Sequence, residues 1–155
     1  MKMTLASPAF EPGQPIPRRY TGEGADISPP LCWNGPPAGT KCFALIADDP
    51  DSRVGTWVHW VLYGLSARLS ALPEHVPPAE RVSLGAHQGI NDFGHVGYGG
   101  PLPPPGKVHR YFFALYALDQ IIQLPPKATK EELKHGMEGH LLAQAQLMGT
   151  YQQAP

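Results

Sequence analysis

Val108-His109-Arg110-Tyr111-Phe112-Phe113-Ala114-Leu115-Tyr116-Ala117-Leu118 is the stretch that decides the fold. It holds no Gly or Pro and is dense in aromatic and β-branched side chains, the composition of a strand inside a sheet. Alternation puts His109, Tyr111, Phe113 and Leu115 on one face. Two polar, titratable groups therefore share a face with core residues.

Upstream, Trp57-Val58-His59-Trp60-Val61-Leu62-Tyr63 has the same character and reads as a second core strand. Lys41 to Ala47 carries Cys-Phe-Ala-Leu-Ile-Ala, a short apolar run of strand length. It leads into the acidic turn Asp48-Asp49-Pro50-Asp51-Ser52. Residues 1–40 are broken by Ser7-Pro8, Pro12-Gly13, Pro29-Pro30 and Gly35-Pro36-Pro37, leaving room for short edge strands. Residues 64–80 read as a loop with a helical turn near Leu65–Leu69, and residues 81–100 as glycine-rich and irregular. Downstream, Thr129-Lys130-Glu131-Glu132 fits a capping box. Leu133, Met137, Leu141, Ala145 and Met148 follow at helical spacing, with Gly149 as a stop. Gly136 and Gly139 inside that helix imply close approach to another element. The expected fold is mainly β: an antiparallel sheet or sandwich with one C-terminal helix and long loops, a single domain over residues 1–155.

Composition agrees. The 19 prolines and 17 glycines in 155 residues argue against a helical bundle. Lys and Arg number 12 against 13 Asp and Glu, so a nucleic-acid role has no electrostatic support. No apolar run approaches a membrane span, and the N-terminus lacks the long apolar core of a secretory signal. Cys32 and Cys42 lack zinc spacing and read as reduced thiols of a cytoplasmic protein.

Nucleophile elbows and zinc-protease motifs are absent. Gly100 to Lys107 is no phosphate loop, since prolines cannot supply a cradle of N–H groups. What remains is a set at strand ends: Asp49, His59 flanked by Trp57 and Trp60, His109 and Tyr111, and the glycines before Pro101. Imidazole and phenol donate to phosphate oxygens, and a carboxylate fixes a histidine tautomer. That combination points to an anion pocket. A sharp turn at Asp49-Pro50 invites a cis peptide there.

The stretches Asp49-Pro50-Asp51, Trp57-Val58-His59-Trp60, Gly97-Tyr98-Gly99-Gly100-Pro101 and His109-Arg110-Tyr111 occur in the order of the signature blocks of the phosphatidylethanolamine-binding protein family. With Gly22-Glu23-Gly24-Ala25-Asp26-Ile27-Ser28-Pro29-Pro30-Leu31-Cys32-Trp33 and Glu138-Gly139-His140, the chain resembles the compact Raf kinase inhibitor-like branch of the YbhB/YbcL type. The resemblance implies a β-rich fold and a non-catalytic binding or regulatory protein. Its small pocket would take phosphate or a phospholipid headgroup, through Asp49, His59, Gly100, His109 and Tyr111. Asp51, Trp57 and Pro101 would be supports. It also implies a kinase or protease partner, a homodimer and no cofactor. The chain departs from the animal pattern at Val58, at Ser52-Arg53 after Asp51, and in a longer proline loop at 101–105. Lipid binding needs apolar surface at the pocket, which Trp60, Phe93 and Leu102 would supply; Arg53 is expected outside it. The rival reading is a metal-dependent enzyme, with His59, His109 and Asp49 as a two-histidine, one-carboxylate face.

Overall fold

The computed structural model describes residues 2–154. Strands β1 (Thr4–Ala6) and β2 (Leu31–Asn34) lie among the early turns. β3 (Cys42–Asp49), β4 (Trp57–Ser66) and β7 (Val108–Leu118) are the three expected core strands. β5 (Ala71–Leu72) and β6 (His87–Gln88) are short, and β8 (Leu141–Gln152) is the longest. One sheet has the order β1-β2-β5 and the other β6-β4-β3-β7-β8. Every pairing within these sheets is antiparallel.

The small sheet packs on one face of the large one. Leu5, Leu31, Trp33 and Leu72 meet Phe43, Leu45, Trp60, Leu62, Phe113 and Leu115 in a single core. Phe43, Leu45, Trp60 and Leu62 are fully buried, each stabilising the fold by ~1.5–3 kcal/mol. The other face of the large sheet, with Ala44, Ile46, Val61 and Tyr63, is covered by α1 (Lys130–Met137) through Leu133 and Met137. β3 is thus apolar on both faces, as its continuous apolar run requires. Its last two residues divide: Asp48 accepts from Lys130 Nζ at 2.6 Å on the helix side, and Asp49 turns to the opposite face.

Several expectations are corrected. The helix begins at the Thr129 capping box but stops at Met137, with Gly139 in the left-handed region just beyond. The apolar stripe beyond it, Leu141 to Met148, belongs to β8, so the helix is not the C-terminal element. Leu141 and Ala145 stand four apart, a spacing that fits a period of two as well as 3.6. Gly149 sits in β8 beneath Ile16 and Phe10, where a Cβ would come within 2.6 and 2.7 Å of their side chains. Gly136 does mark a close approach: a Cβ there would lie 2.9 Å from Ile122 Cγ2. Residues 64–66 continue β4, Gly64 and its positive φ falling at a register shift, and the turn expected near Leu65–Leu69 is a single one at 66–69, where the Leu69 N–H donates to the Ser66 carbonyl at 3.0 Å. Finally, Asp49–Pro50 is trans, as no cis peptide occurs among the described residues. The turn is made instead by the Asp49 carboxylate, whose Oδ1 accepts the Asp51 N–H at 2.7 Å.

Candidate anion-binding site

A second register shift shapes the site. Ala47 pairs with Trp60 but Asp48 pairs with Val58, leaving His59 as the extra residue of a bulge in β4. Bulges re-aim side chains at sheet margins. Here Trp60 enters the core while Trp57 and His59 border a cavity of about 240 Å³. β3 delivers Asp49 to the same cavity and β7 delivers His109 and Tyr111. These four side chains, up to 62 positions apart in the chain, thus meet in one place.

His109 Nδ1 lies 2.6 Å from Asp49 Oδ2, both side chains buried. A carboxylate accepts, so Nδ1 carries the proton and Nε2 is the ring's uncommitted nitrogen. His59 Nδ1 lies 2.6 Å from the Gly99 carbonyl oxygen, which also accepts only. Its Nε2 is likewise uncommitted. Burial pulls the His59 pKa below the ordinary histidine value, against the Gly99 hydrogen bond and the Asp49, Asp48 and Asp26 carboxylates, which pull upward. Burial, then the Asp49 and Asp51 charges, push the Tyr111 phenol far up, so it stays a neutral donor.

The rings form a continuous wall. Phe93 meets His59 edge-on at 5.3 Å and Trp57 at 5.5 Å, and Tyr111 meets His59 at 5.3 Å. Trp57 Nε1 is buried without a hydrogen-bond partner. The proline loop closes the opposite side with Leu102, Pro103 and Pro104.

Asp51 sits behind the site. It accepts from Arg110 N at 2.9 Å, Nε at 2.9 Å and Nη2 at 2.8 Å. This fork ties the turn after β3 to β7, and the Arg110 guanidinium holds the Asp51 pKa down to about 2.

Several expected members stand elsewhere. Gly100 does not line this cavity; its N–H donates to Asp26 Oδ1 at 2.7 Å, and it borders a neighbouring hollow. A Cβ on Gly100 would lie 2.5 Å from the Tyr20 carbonyl oxygen, so the position serves close packing. Pro101 is buried, and its carbonyl accepts from Gly22 N. Trp60 is fully buried and offers no surface to a lipid, whereas Phe93 and Leu102 are exposed at the cavity. Arg53, expected outside, lines the cavity and brings its cation. Its place two residues after Asp51, in the turn that Asp49 opens, is the signal that marks it.

The metal reading gains no support: no three His, Cys, Asp or Glu side chains among the described residues are grouped to hold a metal ion. No helix of the described residues is long and apolar enough to cross a membrane.

Comparison with known proteins agrees with this architecture. A UPF0098 protein of Methanothermobacter thermautotrophicus is 50% identical over 149 residues, covering 96% of this chain and 98% of that protein. The crystal structure of a phosphatidylethanolamine-binding protein homologue from Chlamydia trachomatis superposes with a TM-score of 0.89 at 42% identity, covering 98% of both chains. E. coli YbcL, a member of the mammalian family, gives 0.90 at 30% identity, over 98% of this chain and 99% of that one. The family model for phosphatidylethanolamine-binding protein matches residues 6–152, and with the sandwich and these likenesses it establishes that the chain belongs to the phosphatidylethanolamine-binding protein family.

Proposed function

We propose that the protein is a non-catalytic binding protein whose cavity takes a phosphate-type anion, free or as a phosphorylated headgroup. The observation that carries this reading is the Asp49–His109 pair, set with His59 and Tyr111 around one cavity that Arg53 also lines. Each imidazole has its Nδ1 proton fixed by an acceptor, so a proton added at Nε2 becomes a donor to an anion. Tyr111 supplies a neutral donor and Arg53 a cation. Phe93 and Leu102 give apolar surface beside the polar floor, which suits a small head carrying an apolar substituent.

The same geometry disfavours covalent chemistry. Asp49 and His109 have the relation of an orienting carboxylate and a base. Ser52, the aliphatic hydroxyl that lines the cavity, makes no hydrogen bond to His109; its Oγ accepts the Val54 N–H at 3.3 Å.

Titration calorimetry with inorganic phosphate tests the proposal. Saturable binding is expected, with His109→Gln and Tyr111→Phe each weakening it about tenfold. Sulfate, which does not titrate near neutrality, should bind with proton uptake, measured in two buffers of different ionisation enthalpy. A bound anion raises an imidazole pKa, so sulfate affinity falls as pH rises from about 6 to about 8. Absence of saturable phosphate binding, or affinity indifferent to both substitutions, overturns the reading.

A further inference from the structure

A second polar cavity lies on the opposite face of the large sheet, at the other end of β3 and β4. Tyr63 and His87 stack there at 5.4 Å with 18° between their planes. Beside the stack opens a groove of about 540 Å³, bordered by Lys41, Arg81 and the apolar side chains of Ile121, Ile122 and Leu124. An adjoining hollow of about 270 Å³ shares Tyr63, Arg81 and His87 and adds Lys127. Lys41, Arg81 and Lys127 are exposed, and none forms an ion pair among the described residues. No carboxylate lines the groove; Glu80, in the adjoining hollow, is the single one. Lys127 is held at φ 60°, a left-handed conformation that costs a residue with a side chain.

Tyr63 completes the set. It is only 4% exposed, yet its hydroxyl has no partner among the described hydrogen bonds and is not one of the fully buried orphan groups. The oxygen therefore reaches solvent on the side where Tyr63 borders both hollows, with the Glu80 and Glu132 carboxylates acting on it. The nearby Cys42 thiol, pushed up in pKa by burial, donates to the Gln120 carbonyl at 3.3 Å and offers no nucleophile.

We infer that this groove is a second ligand site, for a small organic anion with an apolar body. Its charged head lies between Lys41 and Arg81, within reach of the Tyr63 hydroxyl, and its apolar part lies along Ile121 and Leu124. Unpaired cations beside low-dielectric walls concentrate anions. A guanidinium meets phosphate, sulfonate or carboxylate through two parallel N–H donors. The apolar wall favours a substituted anion over an inorganic one.

Phenyl phosphate titrated into the full chain, followed residue by residue in amide NMR spectra, tests this. The expected result is saturable shifts at Tyr63, Gly64 and His87, independent of those at His109 and Tyr111. The double variant Lys41→Gln/Arg81→Gln alters only exposed side chains and keeps the fold, which its own spectrum verifies. It should weaken the Tyr63 and His87 response about tenfold or more and leave the His109 response unchanged. Benzyl alcohol, which lacks the charge, should bind the groove far more weakly. Shifts confined to the Asp49–Tyr111 region, or groove binding that the double variant leaves intact, overturn the inference.

Discussion

The imidazole of His109 and the carboxylate of Asp49 share a 2.6 Å hydrogen bond with side chains only 9% and 5% exposed. A buried carboxylate in such a contact orients the ring and fixes its tautomer. Asp49→Asn removes that charge while keeping the size. Phosphate affinity should fall by ~1.5–3 kcal/mol, the scale of a hydrogen bond to a charged group. Calorimetry on the folded variant measures it. Affinity within error of the wild type would show that Asp49 only shapes the turn after β3.

His59 links stability to pH. Its folded pKa lies below the ordinary value of about 6.5 that the unfolded chain retains. The unfolded state then binds more protons just below that value. Stability is complete above it and is lost as pH falls toward the lower folded pKa. Urea midpoints should drop between about pH 7.5 and about pH 5.5, and His59→Gln should flatten this part of the profile. An unchanged slope in the variant would assign the loss to other groups.

Asp51 acts at more acid pH. Its folded pKa of about 2 is depressed chiefly by the Arg110 fork. The stability it contributes is present above the unfolded carboxylate pKa of about 3.9 and is lost as pH falls from there to about 2. The pair is partly open to solvent, so the loss is small beside that of an interior pair. Asp51→Asn should remove this acid-limb component of the urea profile. The variant should also loosen the turn after β3, visible as faster amide exchange at Arg110, whose N–H it holds.

Gly149→Ala tests the packing of β8. The added Cβ would sit 2.6 Å from Ile16 Cγ1 and 2.7 Å from Phe10 Cε2, both in buried residues. Overpacking of this kind costs ~1–3 kcal/mol. Ala at exposed Gly13, where a Cβ meets nothing within 4 Å, is the comparison without crowding. Its φ of 79° adds backbone strain but no crowding.

The three core strands were legible because each is a compact apolar run with local punctuation. β8 was not. Its buried residues Ala145, Leu147 and Gly149 alternate with Gln144, Gln146 and Met148, but the stripe continues the spacing of Leu133 and Met137 without a break. The stop at Gly139 depends on backbone conformation rather than hydropathy. In the site, Asp49, His109 and Tyr111 were readable because strand alternation fixes the faces of their side chains, whereas His59 reaches the same face only through the bulge in β4, which alternation does not encode. Arg53, Pro103 and Pro104 lie on loops whose approach to the cavity is set by tertiary packing, which no local spacing encodes. Gly100 enters through the family resemblance rather than through strand periodicity, and its N–H is given to Asp26 at the edge of the neighbouring hollow.

The tandem carboxylates at the end of β3 carry one more implication. Asp48 serves Lys130 on the helix side and Asp49 serves His109 on the cavity side. Slipping the strand by one residue would put Pro50 or Ala47 where one aspartate stood, so either His109 or Lys130 would lose its acceptor. Polarity along the rest of the strand does not choose between alignments, since both faces of β3 are apolar. Volume does: Phe43 and Leu45 fit the side of Trp33 and Trp60, and Ala44 fits the helix side. The register that sets Asp49 at the cavity is thus fixed jointly by two charged contacts on opposite faces and by the shapes of apolar side chains outside the cavity.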